Sequence, residues 1–354
     1  MAKKVSEICA VPLLLLAAAV LLLRGAVCAN AAYSAMQLSA KVVIPTLFPF
    51  SVLAGILVRS GIAMRLGIRF GKPIGYVFGV SPVCAVGVFL GMLCGFPVGA
   101  ASIAQLYRDG SVDRESAERI LPCCTNAGPA FLLSVAGAGV FGNRTYGWIL
   151  LGIHLTASFL VGVTLRGSGY RSMSPVPEPK SQTAAAVFTE SVQAAAVSMV
   201  QVSGFIVLFS VILSLMPACW PLAALLELTN GLTAIRETSM PTALLLPAVS
   251  AMLGWSGFCV HAQVLSFAAP LGLSGRRYLY GKMLHGCYAA LLAVPVALLF
   301  RSEIPSTTAI HHPSSGEFFL TAAWALSAFC LFFSFLWKFR CQSVIIEKIR
   351  KGGG

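Results

Sequence analysis

Long apolar runs are the strongest constraint on what this chain can fold into. Residues 8–29, 40–58, 146–165, 187–216, 276–300 and 318–337 are each dominated by Leu, Val, Ala, Ile and Phe. A helix rises about 1.5 Å per residue, so roughly 20 apolar residues match a hydrocarbon core of about 30 Å. Composition agrees. The chain is 57% hydrophobic and 10% charged, against about 25% charged in a soluble domain, and its mean hydropathy is +0.84. Such a surface cannot be given to water. The expected class is an all-α polytopic membrane protein with about seven full spans, two inverted repeats, re-entrant helical hairpins and broken helices. A β-barrel would alternate over about ten residues per strand, and these runs are continuous.

The 25 basic and 12 acidic residues give a formal charge of +13. In a soluble protein that would suggest nucleic acid. In a membrane protein, Lys and Arg gather in cytoplasmic loops, and no nucleic-acid partner is expected. Arg59, Arg65, Arg69 and Lys72 place their loop in the cytoplasm, with Lys3 and Lys4. The eleven cysteines have no zinc or disulfide spacing, and neither a metal nor a cofactor is expected. Lys3-Lys4, Val11–Leu23 and Val27-Cys28-Ala29 mimic a secretory signal; the preferred reading is an uncleaved first span, Ile8–Ala29. Pro45 and Pro49 predict either an opened turn or a simple kink in the second span.

Pro82 to Cys94 is thirteen residues, about 20 Å of helix, too short to cross. It stops at Gly95-Phe96-Pro97-Val98-Gly99, and a second short helix, Val98–Tyr107, returns. This predicts a re-entrant hairpin from the cytoplasmic side, the alternative being one long broken helix that crosses fully. The next helix breaks at Thr125-Asn126-Ala127-Gly128-Pro129 and resumes from Ala130 to Phe141. The Pro-rich stretch Ser174–Pro179 lies in a linker that cannot form a packed core. The organisation reads as an N-terminal span (1–39), a first repeat (40–166), a cytoplasmic linker (167–186), a second repeat (187–300), and a linker, last span and basic tail (301–354). An offset of 162 aligns Gly95, Phe96, Val98, Ala100, Gly110 and Arg114 with Gly257, Phe258, Val260, Ala262, Gly272 and Arg276. It puts the second hairpin after Pro241, with its tip at Gly254–Gly257. Counting crossings inverts the second repeat, a plan used by secondary transporters. The tail cations Lys338, Arg340, Lys348, Arg350 and Lys351 then fall outside, against the positive-inside rule.

Helix breaks expose free N–H groups at one end and free carbonyls at the other. The candidate binding residues are therefore Gly95, Phe96, Pro97, Val98 and Gly99, with Gly254, Trp255, Ser256 and Gly257; such glycines also serve as packing notches. Thr125, Asn126, Gly128 and Pro129 form a second group. Thr229, Asn230 and Gly231 form a third, beside Glu227, which at depth would be a coupling site for a proton or sodium ion and at the interface only a helix-end charge. His154, His261 and His285 read as hydrogen-bonded packing residues. No nucleophile elbow, phosphate loop or carboxylate pair is present, so no enzyme is expected.

Gly95-Phe-Pro-Val-Gly-Ala100, Leu106-Tyr-Arg-Asp-Gly110, Asn126-Ala-Gly-Pro-Ala-Phe131 and Glu227-Leu-Thr-Asn-Gly231 together resemble the YlbJ-type sporulation integral membrane proteins (stage V sporulation protein V). That family is grouped with the nucleoside-recognition, or Gate, superfamily, related to concentrative nucleoside transporters. The resemblance covers most of residues 40–300. It implies a multi-pass mother-cell membrane protein at the outer forespore membrane that exports dipicolinic acid toward the forespore by alternating access. The chain is shorter than usual for that family. A small organic anion and membrane lipids are the implied partners, with a proton or sodium ion for coupling and a homo-oligomer or sporulation protein left open. Asn126, Ser256 and Thr229 could take the carboxylates of dipicolinate, and Phe96 or Trp255 could stack on its ring. The alternatives are a nucleoside or other small-solute transporter of the Gate type, and a non-transporting scaffold for spore cortex maturation.

Overall fold

The computed structural model describes residues 12, 15–167, 183–217 and 219–299. The helix α1 (Gly25–Leu38) passes through a π-helical turn, Ser39–Val43, into α2 (Ile44–Arg59). Pro45 and Pro49 therefore sit in a continuous helix that is locally widened into a π-turn, rather than in an opened turn. Helical residues continue back to 15, and the remainder of the expected first span lies outside the described residues, as do the last span and the tail.

The basic loop after α2 is in fact two short helices, α3 (Ile62–Phe70) and α4 (Lys72–Phe78). On α3 the exposed Ile62, Leu66 and Phe70 recur every fourth residue, flanked by Arg65 and Arg69. An apolar stripe beside cations suits a helix lying in the headgroup layer.

The first hairpin follows as expected. α5 (Cys84–Cys94) and α6 (Phe96–Arg108) pack side by side. One residue makes the break: Gly95, at φ 91. That left-handed backbone favours glycine, and Pro97 in the first turn of α6 needs no N–H partner. Asp113 caps α7 (Arg114–Cys124) by accepting from the Ser116 N–H, a contact of about 1 kcal/mol. The helix opens over residues 125–128 and resumes as α8 (129–140), mostly π-helical. Asn143 caps the span α9 (Arg144–Thr164), and Thr183 caps the span α10 (Ala184–Ser214).

The second half departs from expectation. α11 (Trp220–Leu226) and α12 (Leu228–Arg236) pack side by side and form the second hairpin, with Glu227 at its tip. α13 (Thr242–Trp255) and α14 (Gly257–Ala268) do not fold back on each other. α13 runs along α15 (Gly275–Leu299), whereas α14 packs on α6 and α10. They are two halves of one broken span, broken at Ser256. The expected hairpin around Gly254–Gly257 is thus corrected to a span, and the offset of 162 had matched a hairpin to a broken span. Corresponding parts lie roughly 130 residues apart: Gly95 with Glu227, Gly128 with Ser256, α9 with α15.

Among the described residues, six helical stretches are long and apolar enough to cross a membrane: Gly25–Arg59, Arg114–Val140, Arg144–Thr164, Ala184–Ser214, Thr242–Leu271 and Gly275–Leu299. The chain is an all-helical polytopic membrane protein. A hairpin returns to its own side, and three crossings separate the two hairpins, so they enter from opposite faces. The face holding Arg59, Arg65, Arg69, Lys72, Arg108, Arg114, Arg166, Arg276 and Arg277 is opposed by one holding Arg24, Arg144 and Arg236. The first is cytoplasmic by the positive-inside rule. There Glu118 of α7 accepts from Arg114 Nε (2.9 Å) and the Ser274 N–H (3.0 Å), and pairs with Arg277 (3.5 Å), tying the first half to the second.

Candidate functional site

Four helix breaks meet in pairs at the centre. A Cβ on Gly95 would lie 3.3 Å from the Gly128 nitrogen, so the first hairpin tip abuts the break of α7–α8. A Cβ on Gly257 would lie 3.2 Å from the Leu226 oxygen, so the second tip abuts the break of α13–α14. Trp255 Nε1 donates to the Leu225 oxygen across the same junction (3.3 Å). Ser256 is in the left-handed region at φ 78, unlike any other non-glycine residue among those described. Such backbones cost about 1–3 kcal/mol and persist where surrounding packing imposes them. Phe96 packs on both large core clusters, which places the first tip where the halves join.

The freed backbone groups of the first broken span find side chains from other helices. Ala127 N–H donates to His154 Nε2 of α9 (3.0 Å). Lys282 Nζ of α15 donates to the Thr125 oxygen (2.8 Å) and to His285 Nδ1 (3.2 Å). His285 Nε2 donates to the His154 carbonyl (3.0 Å), which can only accept. The His154 and His285 rings stand 4.4 Å apart. His261 Nδ1 shares a hydrogen bond with the Tyr278 hydroxyl (3.0 Å). The Lys282 ammonium sits over the Phe96 ring, 5.9 Å from its centroid. Non-helical backbone at membrane depth is tolerated only with such partners.

The expected site residues divide. Thr125, Asn126, Gly128, Phe96 and Gly95 come together around Lys282. Trp255, Ser256 and Gly257 join them through His261, against which the Trp255 ring packs edge-on at 4.3 Å. Pro97 and Pro129 open the resumed helices. Gly99 and Gly254 are packing notches: a Cβ would come 2.0 Å from the Cys124 oxygen and 2.7 Å from Gly286, respectively. Gly231 packs within its hairpin against Ala224. Val98 lines a cavity beside α2 and α10. Asn230 points its amide to Ser210 of α10 (3.1 Å) and not to the centre. Glu227 is buried, and its oxygens accept from the Thr229 (3.1 Å) and Asn230 (2.7 Å) N–H groups. Its position at a hairpin tip supports depth, and its contacts are those of a helix cap. Among the described residues no His, Cys, Asp and Glu cluster could hold a metal.

Sequence reasoning missed Lys282 and Tyr278 and set the histidines aside. The signal was present: Tyr278, Lys282 and His285 recur at i, i+4 and i+7 on one face of an apolar helix.

Fold and site define a multi-pass membrane protein in which two opposed hairpins meet two broken spans around a buried polar centre. The chain is similar to the sporulation integral membrane protein YlbJ of Bacillus subtilis (strain 168), with 26% identity over 319 residues, covering 77% of each chain. No protein-family profile matches it, and no solved structure does.

Proposed function

We propose that this chain is a sporulation membrane transporter of the Gate type. It moves a small organic anion, dipicolinate first among candidates, from the mother cell toward the forespore by alternating access. One observation carries the transport reading: tips of hairpins from opposite faces abut two broken spans at a buried polar centre. That arrangement gives a site midway through the bilayer with one mobile element toward each face. A scaffold has no use for helix breaks, whose freed backbone groups must each be satisfied again. The likeness to a sporulation integral membrane protein supports a multi-pass sporulation membrane protein, which this reading places in the mother-cell-derived outer forespore membrane. Glu227, buried at the second tip, is the coupling residue for a proton or sodium ion in this reading.

The test is flux into liposomes holding the purified full chain, with dipicolinate and uridine as separate solutes. Dipicolinate uptake above protein-free vesicles is expected, with little uridine uptake. Uridine uptake alone would replace the substrate with a nucleoside. Absence of flux for both would leave the scaffold reading.

A further inference from the structure

Among the described residues Lys282 is the only buried cation, with 0% of its surface exposed. No carboxylate of those residues lies within ion-pairing distance of it. A buried ammonium costs several kcal/mol when unpaired, and ionisable groups at membrane depth mark functional sites. Satisfying the Thr125 carbonyl does not need a charge, since a neutral amide or hydroxyl would do it. An ammonium has three N–H donors, and two are used, on Thr125 and His285.

Three further buried atoms have no partner, on residues that adjoin the Lys282 contacts or the broken spans: Asn126 Oδ1, next to Thr125, His154 Nδ1, on the ring 4.4 Å from that of His285, and His261 Nε2. Their residues are 0%, 1% and 2% exposed. The tautomer of His154 follows from its neighbours. Its Nε2 accepts from Ala127 N–H, so the neutral ring carries its proton on Nδ1, an unsatisfied donor. A lone buried donor costs about 1–3 kcal/mol. The centre thus offers an unpaired cation, an unused N–H and an aromatic face at Phe96.

A cavity reaches toward this centre from the cytoplasmic side and stops short of its residues. Its volume is about 240 Å³, and it lies between α2, α6, α10 and α14. Arg59 and Arg108 line it at the cytoplasmic ends of α2 and α6. It follows one face of α6 through Gln105 and Ser102 to Val98, two residues from Phe96. Arg59 is also paired with Glu190 at 3.6 Å.

We propose that the Lys282 ammonium is the carboxylate-binding centre of the transport site. His154 Nδ1–H is a second donor to the same ligand, Phe96 is its stacking surface, and the Arg59–Arg108 cavity is the cytoplasmic approach. This rests on the transport reading and narrows its substrate to small carboxylates, aromatic ones in particular. The anion supplies the counter-charge that the fold withholds.

The experiment measures binding to the purified full chain in nanodiscs, using dipicolinate and its neutral isostere, pyridine-2,6-dicarboxamide. Wild type is expected to prefer the dianion at least roughly tenfold, since a hydrogen bond to a charged group is worth about 1.5–3 kcal/mol. Lys282→Gln keeps donors for Thr125 and His285 and removes the charge. It should weaken dipicolinate roughly 10- to 100-fold and leave the diamide unchanged, so that the preference disappears. Lys282→Met also leaves the Thr125 oxygen and His285 Nδ1 without a donor, so it should lose the preference and weaken both ligands somewhat, while a general packing defect would weaken both ligands equally. A folded Lys282→Gln or Lys282→Met protein that keeps the dianion preference overturns the assignment. Equal binding of the two ligands by wild type overturns it without any variant. Dipicolinate flux that survives either result leaves transport standing and removes only Lys282, whereas absence of binding and flux for both solutes removes the transport reading itself.

Discussion

Replacing Gly91 or Gly99 by alanine tests whether the first hairpin is clamped on the broken span. The two glycines face each other across the hairpin and close on one atom. A Cβ on Gly91 would lie 1.9 Å from the Cys124 oxygen, and one on Gly99 would lie 2.0 Å from it. Ordinary non-bonded contact between heavy atoms is about 3.5 Å, so hairpin and carbonyl must separate by roughly 1 Å or more. Overpacking of a tight core costs about 1–3 kcal/mol. The consequence for the site is larger than that figure suggests. Cys124 precedes Thr125, whose oxygen accepts from Lys282 at 2.8 Å, and lengthening that bond by roughly 1 Å breaks it by ordinary criteria. Gly204→Ala on α10 is the control, because nothing lies within 4 Å of a Cβ there, and alanine favours helix by up to about 1 kcal/mol. Thermal melting of the purified protein, followed by tryptophan fluorescence, should fall by several degrees for Gly91→Ala and Gly99→Ala and not for Gly204→Ala, with dipicolinate flux reduced in the first two alone. Both variants melting with the control and transporting normally would refute the clamp.

Three other perturbations address different parts. A cysteine at Arg69 should label from the cytoplasmic side and one at Arg236 from the opposite side; labelling of both from one face removes the inversion of the two halves. Gly95→Leu and Gly257→Leu should insert normally and lose transport, because each forces a side chain onto a left-handed backbone and pushes apart a hairpin tip and its partner break; normal flux in both would reduce the tips to packing contacts. Glu227→Gln keeps an oxygen for the α12 cap and removes the charge. It should exchange substrate while losing its response to a proton or sodium gradient, and a gradient response equal to wild type would leave Glu227 a cap.

Much of the plan is legible in one dimension because bilayer thickness sets helix length and water sets the charges. The spans α9, α10 and α15, the cytoplasmic basic loops, the first hairpin and the break at Thr125–Gly128 all follow from apolar length, Gly and Pro positions and cation counts. Residue identity did not distinguish a hairpin from a broken span in the second half. Trp220–Arg236 and Thr242–Leu271 are both apolar runs with a polar interruption, and what separates them is whether the two arms pack on each other or on different helices. That is a property of tertiary contacts: α13 is held by α15 through Gly254 and Gly286, while α14 is drawn to α6 and α10. The centre shows the same limit. Lys282 follows Arg276 and Arg277 by a few residues and reads as part of a basic helix end. Only the approach of α15 to the break in α7–α8 removes it from water, leaves it without a carboxylate and places it against the Thr125 oxygen, His285 and Phe96. Local sequence fixes where a helix must stop, and the packing of distant helices decides which freed backbone groups and which charges share the space that results.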